Sequence, residues 1–419
     1  MAPMDPVDVT AHRRQLMEQL SGDVLVAVLS GDPIPKSADE DYPYTPHRNY
    51  LYLTGSDRPR QCLLMARRGG EVTEWLFIEP PNPHRELWNG RMMTEDEARE
   101  RSGIRTIRPF GEFRRTLNRL LQSGRYAALV LDLEHRQWDE LPGPGVRFAG
   151  EVSARHPGVP IRNLYPDVAA LRRVKSEPEI ARIQAAVDHT HEGFTALIAG
   201  TVPGRYEYQL EAEFQRALRF GGVVPAYSSI VATGVNATVM HYVTLRDQVE
   251  RGQLVLVDAA AEFDYYKSDI TRTFPVDGKF SARQAAVYDI VFEASRETIH
   301  AMRPGVPHAE LNRVTRKILA RGLRSLNLIR DDDELDRYYY YNVSHYLGLD
   351  THDVGVYDEL EPGMVMTVEP GLYIGDEAIG VRIEDDVAVT ASGARVLSEK
   401  IPAERQAVEA WVEAARGAR

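Results

Sequence analysis

The chain has 419 residues, of which 43% are hydrophobic and 27% charged, so it is a globular protein too long for one ordinary hydrophobic core. Its net charge of −12 argues against a nucleic-acid backbone as the main partner. The single cysteine, Cys62, excludes an intrachain disulfide and lies in an apolar run typical of a buried structural thiol.

The N-terminal residues and the apolar runs bear on the cellular compartment. No basic start followed by an apolar stretch opens the chain, so we see no secretory signal. The longest apolar runs, such as residues 24–29, have the size of strands, and none approaches the roughly 18 residues of a membrane helix. Together with the single cysteine, these features favour a cytoplasmic protein without a membrane partner.

Helices and strands alternate over the first 165 residues, as they do in one α/β domain of ordinary size. Thr10 is placed to cap a first helix, at residues 11–20. The hydrophobic pattern predicts further helices at residues 94–101 and 113–121. It predicts strands at residues 23–30, 49–53, 61–66, 73–78 and 127–133.

A boundary is expected near residue 165, so we predict an N-terminal domain of residues 1–165 and a second domain of residues 166–419. In the second domain the apolar spacing predicts helices at residues 177–197, 206–220, 285–302 and 307–322. Strand-like runs lie at residues 228–233, 254–258, 268–274, 338–341, 364–374 and 381–389. Helix pairs that alternate with groups of strands predict an α+β domain.

Five residues that can bind metal ions lie in or beside the strand-like runs of the second domain: Asp258, Asp269, His345, Glu369 and Glu384. The first two are separated by the length of a β-hairpin, so pairing their strands brings both to one end of a sheet. A carboxylate inside an apolar strand is costly to bury unless it is paired or binds a metal. The ordered set of five therefore indicates a metal site.

Any single acid of this set has a simpler interpretation as a salt-bridge partner. Glu384, for instance, shares a strand face with Arg382. For the whole set, oxygen-rich ligation with one nitrogen and no sulfur favours two divalent ions, most readily Mn²⁺, with Co²⁺ or Zn²⁺ able to substitute. Two such ions lower the pKa of a bound water and polarise a carbonyl, which is the chemistry of a hydrolase.

Four segments of the second domain, residues 254–274, 344–355, 360–374 and 380–387, resemble the metal-site signatures of the aminopeptidase P, prolidase and methionine aminopeptidase family, which is metallopeptidase family M24. Residues 48–55 resemble the N-terminal domain of aminopeptidase P and prolidase, which methionine aminopeptidases lack. The resemblance implies an α/β N-terminal domain followed by an α+β catalytic domain with the pita-bread (creatinase/aminopeptidase-like) fold.

The resemblance also implies a role for each of the five residues. Asp258 and Asp269 bind one metal ion, and His345 and Glu369 complete the second site. Asp269 and Glu384 bridge the two ions. Glu369 is in addition the expected general base, which handles the proton of the bridging water.

Further pocket residues follow from the same resemblance. His241 is expected to act near the scissile bond or in a proton relay, and His352 to contact the substrate carbonyl, although each is also readable as a structural histidine. Arg382 is expected to orient the metal-binding acids, and Tyr373 to point into the same pocket. Tyr341 replaces a histidine that the family often carries four residues before the metal histidine, so substrate handling can differ here.

The function that the resemblance implies is that of an Xaa-Pro aminopeptidase. The bond before proline is a tertiary amide without an N–H, and water activated by a metal pair needs no such donor. Two alternatives remain: an Xaa-Pro dipeptidase (prolidase), and a non-catalytic pita-bread binding protein, against which the intact ligand set weighs. The implied partners are peptides with proline at the second position and further copies of the chain, as a homodimer or homotetramer.

Overall fold

The computed structural model of the protein describes Met4 and residues 6–417. It divides into two compact units, Pro6–Arg172 and Arg173–Arg419. The division lies after Arg172, C-terminal to the expected boundary at residue 165. The reason is local: the side chain of Arg172 is buried in the first unit, where its Nη1 donates to Oδ1 of Asn49 at 2.7 Å.

A mixed six-stranded sheet forms the centre of the first unit. Its strands are β1 (Val24–Leu29), β2 (Cys62–Arg68), β3 (Glu71–Ile78), β4 (Ile107–Pro109), β5 (Ala128–Leu131) and β6 (Ile161–Asn163). They are ordered β4-β3-β2-β1-β5-β6. Strand β2 is antiparallel to both its neighbours, whereas β5 is parallel to both of its own. The sheet is thus the α/β arrangement that the alternating pattern predicted.

Seven helices accompany this sheet in the described part of the first unit: α1 (Val9–Gln19), α2 (Arg48–Thr54), α3 (Pro83–Asn89), α4 (Glu95–Ser102), α5 (Phe113–Gln122), α6 (Pro144–Arg155) and α7 (Tyr165–Arg173). Phe113 of α5 and Phe148 of α6 pack with Leu25, Leu64 and Leu129 of the sheet in one buried cluster. The predicted helices at 94–101 and 113–121 are confirmed as α4 and α5. Helices α3, α6 and α7 were not predicted.

Two local predictions in the first unit were wrong. Residues 49–53 form helix α2 and not a strand. Asn49 to Thr54 are all buried, and a short run buried on every side has no periodicity that distinguishes a helix from a strand. The N-cap of α1 is Asp8, whose Oδ1 accepts from the Ala11 amide at 2.9 Å, and not Thr10.

The described residues of the second unit contain five helices, which are α8 (Glu177–Gly200), α9 (Glu207–Phe220), α10 (Ala282–Ala301), α11 (His308–Ser325) and α12 (Arg405–Gly417). Helix α8 packs on α9, and α10 packs on α11. These are the two helix pairs that the sequence predicted, and α12 is an addition. None of the described helices is long and apolar enough to cross a membrane.

Short strands fill the rest of the second unit: β7 (Val224–Pro225), β8 (Ile230–Thr233), β9 (Leu254–Asp258), β10 (Ala261–Phe263), β11 (Tyr266–Lys267), β12 (Thr271–Pro275), β13 (Val365–Val368), β14 (Gly371–Ile374), β15 (Ile379–Arg382), β16 (Asp385–Thr390) and β17 (Gly393–Val396). They form the small sheets β11-β10-β7, β12-β9-β8, β13-β16-β17 and β14-β15. Helix pairs and small antiparallel sheets make this unit α+β.

Three strand predictions for the second unit need correction. The run 364–374 is two strands, β13 and β14, with Glu369 and Pro370 at the break. The run 381–389 is also broken, between β15 and β16, at Ile383 and Glu384. The strands on either side of the breaks belong to different sheets, because β13 pairs with β16 and β14 with β15. The four tyrosines at 338–341 form no strand and follow a short 3₁₀ helix.

Candidate metal centre

The pairing of β9 with β12 brings two of the predicted ligands together. Asp258 stands opposite Thr271 in the antiparallel register, so Asp269 lies at the same end of the sheet. The hydroxyl of Tyr227 is 2.6 Å from Oδ1 of Asp258 and 2.6 Å from Oδ1 of Asp269. A phenol has one proton and can donate to only one of these oxygens. The second carboxylate therefore needs another positive or protonated partner.

His345 offers a free nitrogen to the same group of acids. Its Nδ1 is 3.0 Å from the carbonyl oxygen of Tyr346, which can only accept, so Nδ1 carries the proton and Nε2 has the lone pair. This Nε2 lies 3.5 Å from Oδ2 of Asp269 and 3.3 Å from Oε1 of Glu369. A lone pair that faces two carboxylates needs a cation between them or a proton on one of the carboxyl groups.

Glu384 completes the cluster from the break between β15 and β16. Ligand atoms of Asp269, His345 and Glu384 all lie within 4.8 Å of one another. The Oε2 atom of Glu384 accepts from Oγ1 of Thr271 at 2.7 Å. The structure thus brings all five predicted ligands, from four separate segments of the chain, to one place.

Arg382 is the cation that the chain itself supplies to this group. Its Nη2 donates to Oδ2 of Asp258 at 2.6 Å, and its Nε donates to Oγ1 of Thr271 at 2.9 Å. Its Nη1 donates to the hydroxyl of Tyr373 at 2.8 Å. Arg382 therefore contacts Asp258 directly and Glu384 through Thr271, but its one positive charge offsets only part of the charge of four carboxylates.

The electrostatics of the centre show that its negative charge is under-compensated. Burial, followed by repulsion from Asp258, raises the pKa of Asp269 well above its usual range. Burial and the neighbouring Asp269 and Glu369 do the same to the pKa of Glu384. The pKa of Glu369 rises to about 8, chiefly because the group is buried. Burial lowers the pKa of His345 to about 3, so its imidazole is neutral and able to bind a metal.

The donor set fits two divalent cations. Four carboxylates and one neutral imidazole are the oxygen-rich ligands that hard or borderline divalent ions prefer. Bound cations would remove the repulsion that raises the pKa values of Asp269, Glu369 and Glu384. The metal-binding chemistry is thus set by the chain, whereas the choice among manganese, cobalt and zinc is not.

The other predicted pocket residues lie at different depths. Tyr373 and Arg382 are buried beside the acids, and Tyr341 is half-buried and 3.1 Å from Tyr373, hydroxyl to hydroxyl. His352 is exposed, and its ring centre is 4.2 Å from that of His345. His241 is also exposed, and no hydrogen bond or ion pair joins its ring to another described residue. His352 therefore adjoins the cluster.

Sequence reasoning missed the neutral groups that support the acids. Tyr227 links Asp258 to Asp269, and Thr271 links Arg382 to Glu384. No motif could have singled out Tyr227, because it lies in a loop far from both aspartates in the chain. Thr271 could have been found, since it is in register with Asp258 once the hairpin is assumed.

A second cluster of metal-binding residue types lies in the first unit, where His47, Asp132 and Glu134 come together. Nδ1 of His47 is 3.3 Å from Oδ2 of Asp132, and its Nε2 is 3.7 Å from Oε2 of Glu134. Each ring nitrogen of His47 thus faces a different carboxylate.

Similarity to known proteins agrees with this geometry. Residues 181–391 match metallopeptidase family M24, and residues 9–129 match the aminopeptidase P N-terminal domain. The Xaa-Pro aminopeptidase of Escherichia coli K12 is 32% identical over 440 residues, which cover 99% of this chain and 100% of that protein. The Xaa-Pro aminopeptidase of Haemophilus influenzae is 32% identical over 98% of each protein.

The chain belongs to metallopeptidase family M24. Among solved structures, zinc-substituted E. coli aminopeptidase P in complex with product superposes with a TM-score of 0.89 at 31% identity, covering 98% of this chain and 100% of that one. The full-length match places the chain in the aminopeptidase P branch, with an N-terminal domain and a pita-bread catalytic domain. The protein is therefore an enzyme, a hydrolase of the metallo-aminopeptidase class.

Proposed function

We propose that this enzyme is an Xaa-Pro aminopeptidase that hydrolyses the bond between an N-terminal residue and proline with two metal ions. The observation that carries the proposal is the convergence of Asp258, Asp269, His345, Glu369 and Glu384 in a chain that matches Xaa-Pro aminopeptidases from end to end. The alternative of a non-catalytic binding protein would need this ligand set to be lost, and it is intact.

The five residues are proposed to act as a ligand set. Asp258 and Asp269 would hold one ion and His345 and Glu369 the other, with Asp269 and Glu384 shared between the two. Two divalent ions, when bound there, activate a water molecule and polarise the scissile carbonyl. The support for this division is geometric: Tyr227 draws the two aspartates together, and Nε2 of His345 points at Asp269 and Glu369.

Glu369 is proposed to take the proton of the attacking water and pass it to the leaving nitrogen. Its Oε1 lies 3.3 Å from Nε2 of His345, which places the carboxylate inside the cluster that would hold the metal ions and their water. His352 is proposed to donate a hydrogen bond to the substrate carbonyl, since its exposed ring adjoins His345. His241 is proposed to contact the substrate with its exposed ring.

We propose manganese as the native metal, because oxygen ligands outnumber the single nitrogen. The zinc-substituted relative is evidence that a homologous protein takes up zinc. We further propose that the enzyme works in the cytoplasm, on the basis of its single buried cysteine, and as a homodimer or homotetramer.

A peptide panel tests the proposed function. The protein is stripped of metal, reloaded with Mn²⁺, and given Ala-Pro-Ala, Ala-Ala-Ala, Ala-Pro and the tripeptide Ala-Pro-Pro, with release of free alanine as the measurement. Cleavage of Ala-Pro-Ala and Ala-Pro-Pro, loss of cleavage when proline is replaced by alanine, and dependence on Mn²⁺ are expected.

The panel also separates the proposal from its alternative, an Xaa-Pro dipeptidase. Cleavage of Ala-Pro alone, with both proline-containing tripeptides left intact, would identify a dipeptidase. No cleavage of any peptide by protein that has bound two Mn²⁺ ions would overturn both. A protein inactivated by Asp269→Asn serves as the control for contaminating peptidases.

A further inference from the structure

The hydroxyl of Tyr341, the residue that stands where the family often has histidine, is fully engaged. It lies 2.8 Å from the backbone carbonyl oxygen of Glu369 and 3.1 Å from the hydroxyl of Tyr373. A carbonyl only accepts, so the single proton of Tyr341 goes to Glu369. The proton between the two phenols must then come from Tyr373, whose oxygen in turn accepts from Nη1 of Arg382.

The hydrogen bonds therefore run in one direction, from Arg382 through Tyr373 and Tyr341 to the backbone of Glu369. At its other end Arg382 donates to Asp258 through Nη2. One chain of contacts thus joins an acid of the first proposed metal site to the backbone of an acid of the second.

This series of hydrogen bonds ends at a residue that lies outside the strand pairing. Glu369 lies at the break between β13 and β14, before a proline that has no N–H to pair. Its own amide donates to the carbonyl of Val343 at 2.9 Å, and its carbonyl has Tyr341. Without Tyr341 the carbonyl would lose the side-chain donor that holds it.

Gly371 provides the space in which the two phenols meet. A Cβ atom at this position would stand 2.7 Å from the hydroxyl oxygen of Tyr373 and 2.8 Å from that of Tyr341. Both distances are shorter than contacts that real Cβ atoms make, so any side chain here would push the hydroxyls apart. The backbone at Gly371 is thus shaped around the pair.

We propose that Tyr341 is a positioning residue of the metal centre, which holds the backbone of Glu369 and so sets its carboxylate against the second metal ion. With Tyr341 in place of the histidine that the family often carries, this position no longer offers an imidazole to the substrate. It instead supports the metal ligand Glu369. This inference rests on the proposed function in one respect, that the four acids and the histidine bind metal.

The variant Tyr341→Phe tests the inference, with Mn²⁺ alone as the probe. Metal-free protein is titrated with Mn²⁺ in a calorimeter, and kcat and KM for Ala-Pro-Ala are measured at saturating metal. The weaker of two Mn²⁺ sites is expected to lose affinity by about tenfold or more, the range found when a partner of a metal ligand is removed. We expect kcat to fall by a similar factor and KM to change by less than about twofold, because the effect acts on a reacting group.

Tyr339→Phe is the matched control. Tyr339 is two residues away and fully buried, and its hydroxyl donates to Oδ1 of Asn312 at 2.9 Å, outside the chain of contacts. Tyr339→Phe loses one buried hydrogen bond and Tyr341→Phe loses two, so both variants should lower Tm, the second at least as much as the first. A lowered Tm with wild-type Mn²⁺ affinity and kcat in Tyr341→Phe would show that the hydroxyl is only structural and would overturn the inference.

Gly371→Ala should disturb the contact between the hydroxyls of Tyr341 and Tyr373 while leaving both tyrosines in the sequence. It should reproduce the weaker Mn²⁺ affinity of Tyr341→Phe, and wild-type affinity in this variant would count against the inference. The Mn²⁺ titration needs no peptide, so it tests the role of Tyr341 independently of the proposed peptidase activity. Wild-type protein that binds two Mn²⁺ ions but cleaves no Xaa-Pro peptide overturns the proposed function alone.

Discussion

Apart from Asp258, which Arg382 contacts, single acids in the metal centre are held by neutral donors. The backbone N–H of Asp269 donates to Oδ2 of Asp386 at 3.1 Å, and its side chain meets the hydroxyl of Tyr227. Glu384 receives its hydrogen bond from Thr271. Neutral donors orient the carboxylates but leave their charge in place, so the charge remains available for cations.

Asp269→Asn should abolish the binding of two metal ions. An amide of the same shape keeps one oxygen but loses the charge that bridges both ions, while Tyr227 can still donate to it. We expect fewer than two Mn²⁺ ions per chain by elemental analysis and a fall in kcat of at least about 100-fold. The exposed acid Asp376, changed to Asn, is the control. Full metal content in Asp269→Asn would remove this residue from the ligand set.

In the second unit, breaks between consecutive strands position two residues of the site. Glu369 and Glu384 lie where one strand ends and the next begins, and the strands on either side pair in different sheets. The amide of Ile383 donates to the carbonyl of Pro370 at 3.2 Å, which ties the two breaks to each other. A continuous strand would point alternate side chains to opposite faces, whereas two breaks side by side turn both carboxylates towards the metal.

A buried ion pair fixes the segment that carries His345 and His352. Nζ of Lys175 lies 3.0 Å from Oδ2 of Asp353, and both side chains are 1% exposed. The amide of Asp353 donates to the carbonyl of Tyr346 at 2.8 Å, which closes the segment on itself. Lys175, which directly precedes the N-terminus of α8, thus anchors this loop through its side chain.

Lys175→Met should destabilise the protein strongly. It leaves the carboxylate of Asp353 buried without its cation, which costs about 3–5 kcal/mol of unfolding free energy. Denaturant unfolding measures the loss. Arg251→Met breaks an exposed pair with Asp277 and should cost less than about 1 kcal/mol. Equal small losses in the two variants would show that the buried pair contributes no more than a surface pair.

At the scale of the whole molecule, the metal centre couples stability to pH. The pKa of Glu369 is raised from 4.5 to about 8, so the folded metal-free protein keeps a proton that the unfolded chain loses above pH 4.5. Its contribution to stability therefore decreases as pH rises towards 8. The pKa of His345 is lowered from 6.5 to about 3, which gives the opposite sign, but only below 6.5.

Between pH 6.5 and about 8 the imidazole of His345 is neutral in both the folded and the unfolded protein, so only the raised pKa of Glu369 affects stability. The Tm of the metal-free protein should therefore fall as pH rises through this window. Saturating Mn²⁺ should cancel the fall, because metal binding favours the deprotonated ligands. Calorimetry of the metal-free and Mn²⁺-loaded protein across the window is the measurement, and Glu369→Gln should flatten the metal-free curve. A metal-free Tm that rises with pH would contradict the assignment of charge in the centre.

Much of this could be predicted because it depends on local pattern. The long amphipathic helices α8 to α11 follow from apolar spacing that holds over several turns, whatever they pack against. The five ligands could be chosen because acids in apolar strands are unfavourable unless they have a partner. The hairpin that unites Asp258 with Asp269 follows from the length of chain between them.

Only the tertiary structure decided the rest, because the deciding interactions join residues distant in the chain. Helix α2 is buried on all sides, so its conformation depends on its neighbours and not on its own periodicity. The breaks at Glu369 and Glu384 follow from which sheets the flanking strands join. The sequence alone determined which residues could bind metal. The hydroxyl of Tyr341, by contrast, owes its role to the backbone carbonyl of Glu369, 28 positions away, which no sequence pattern encodes.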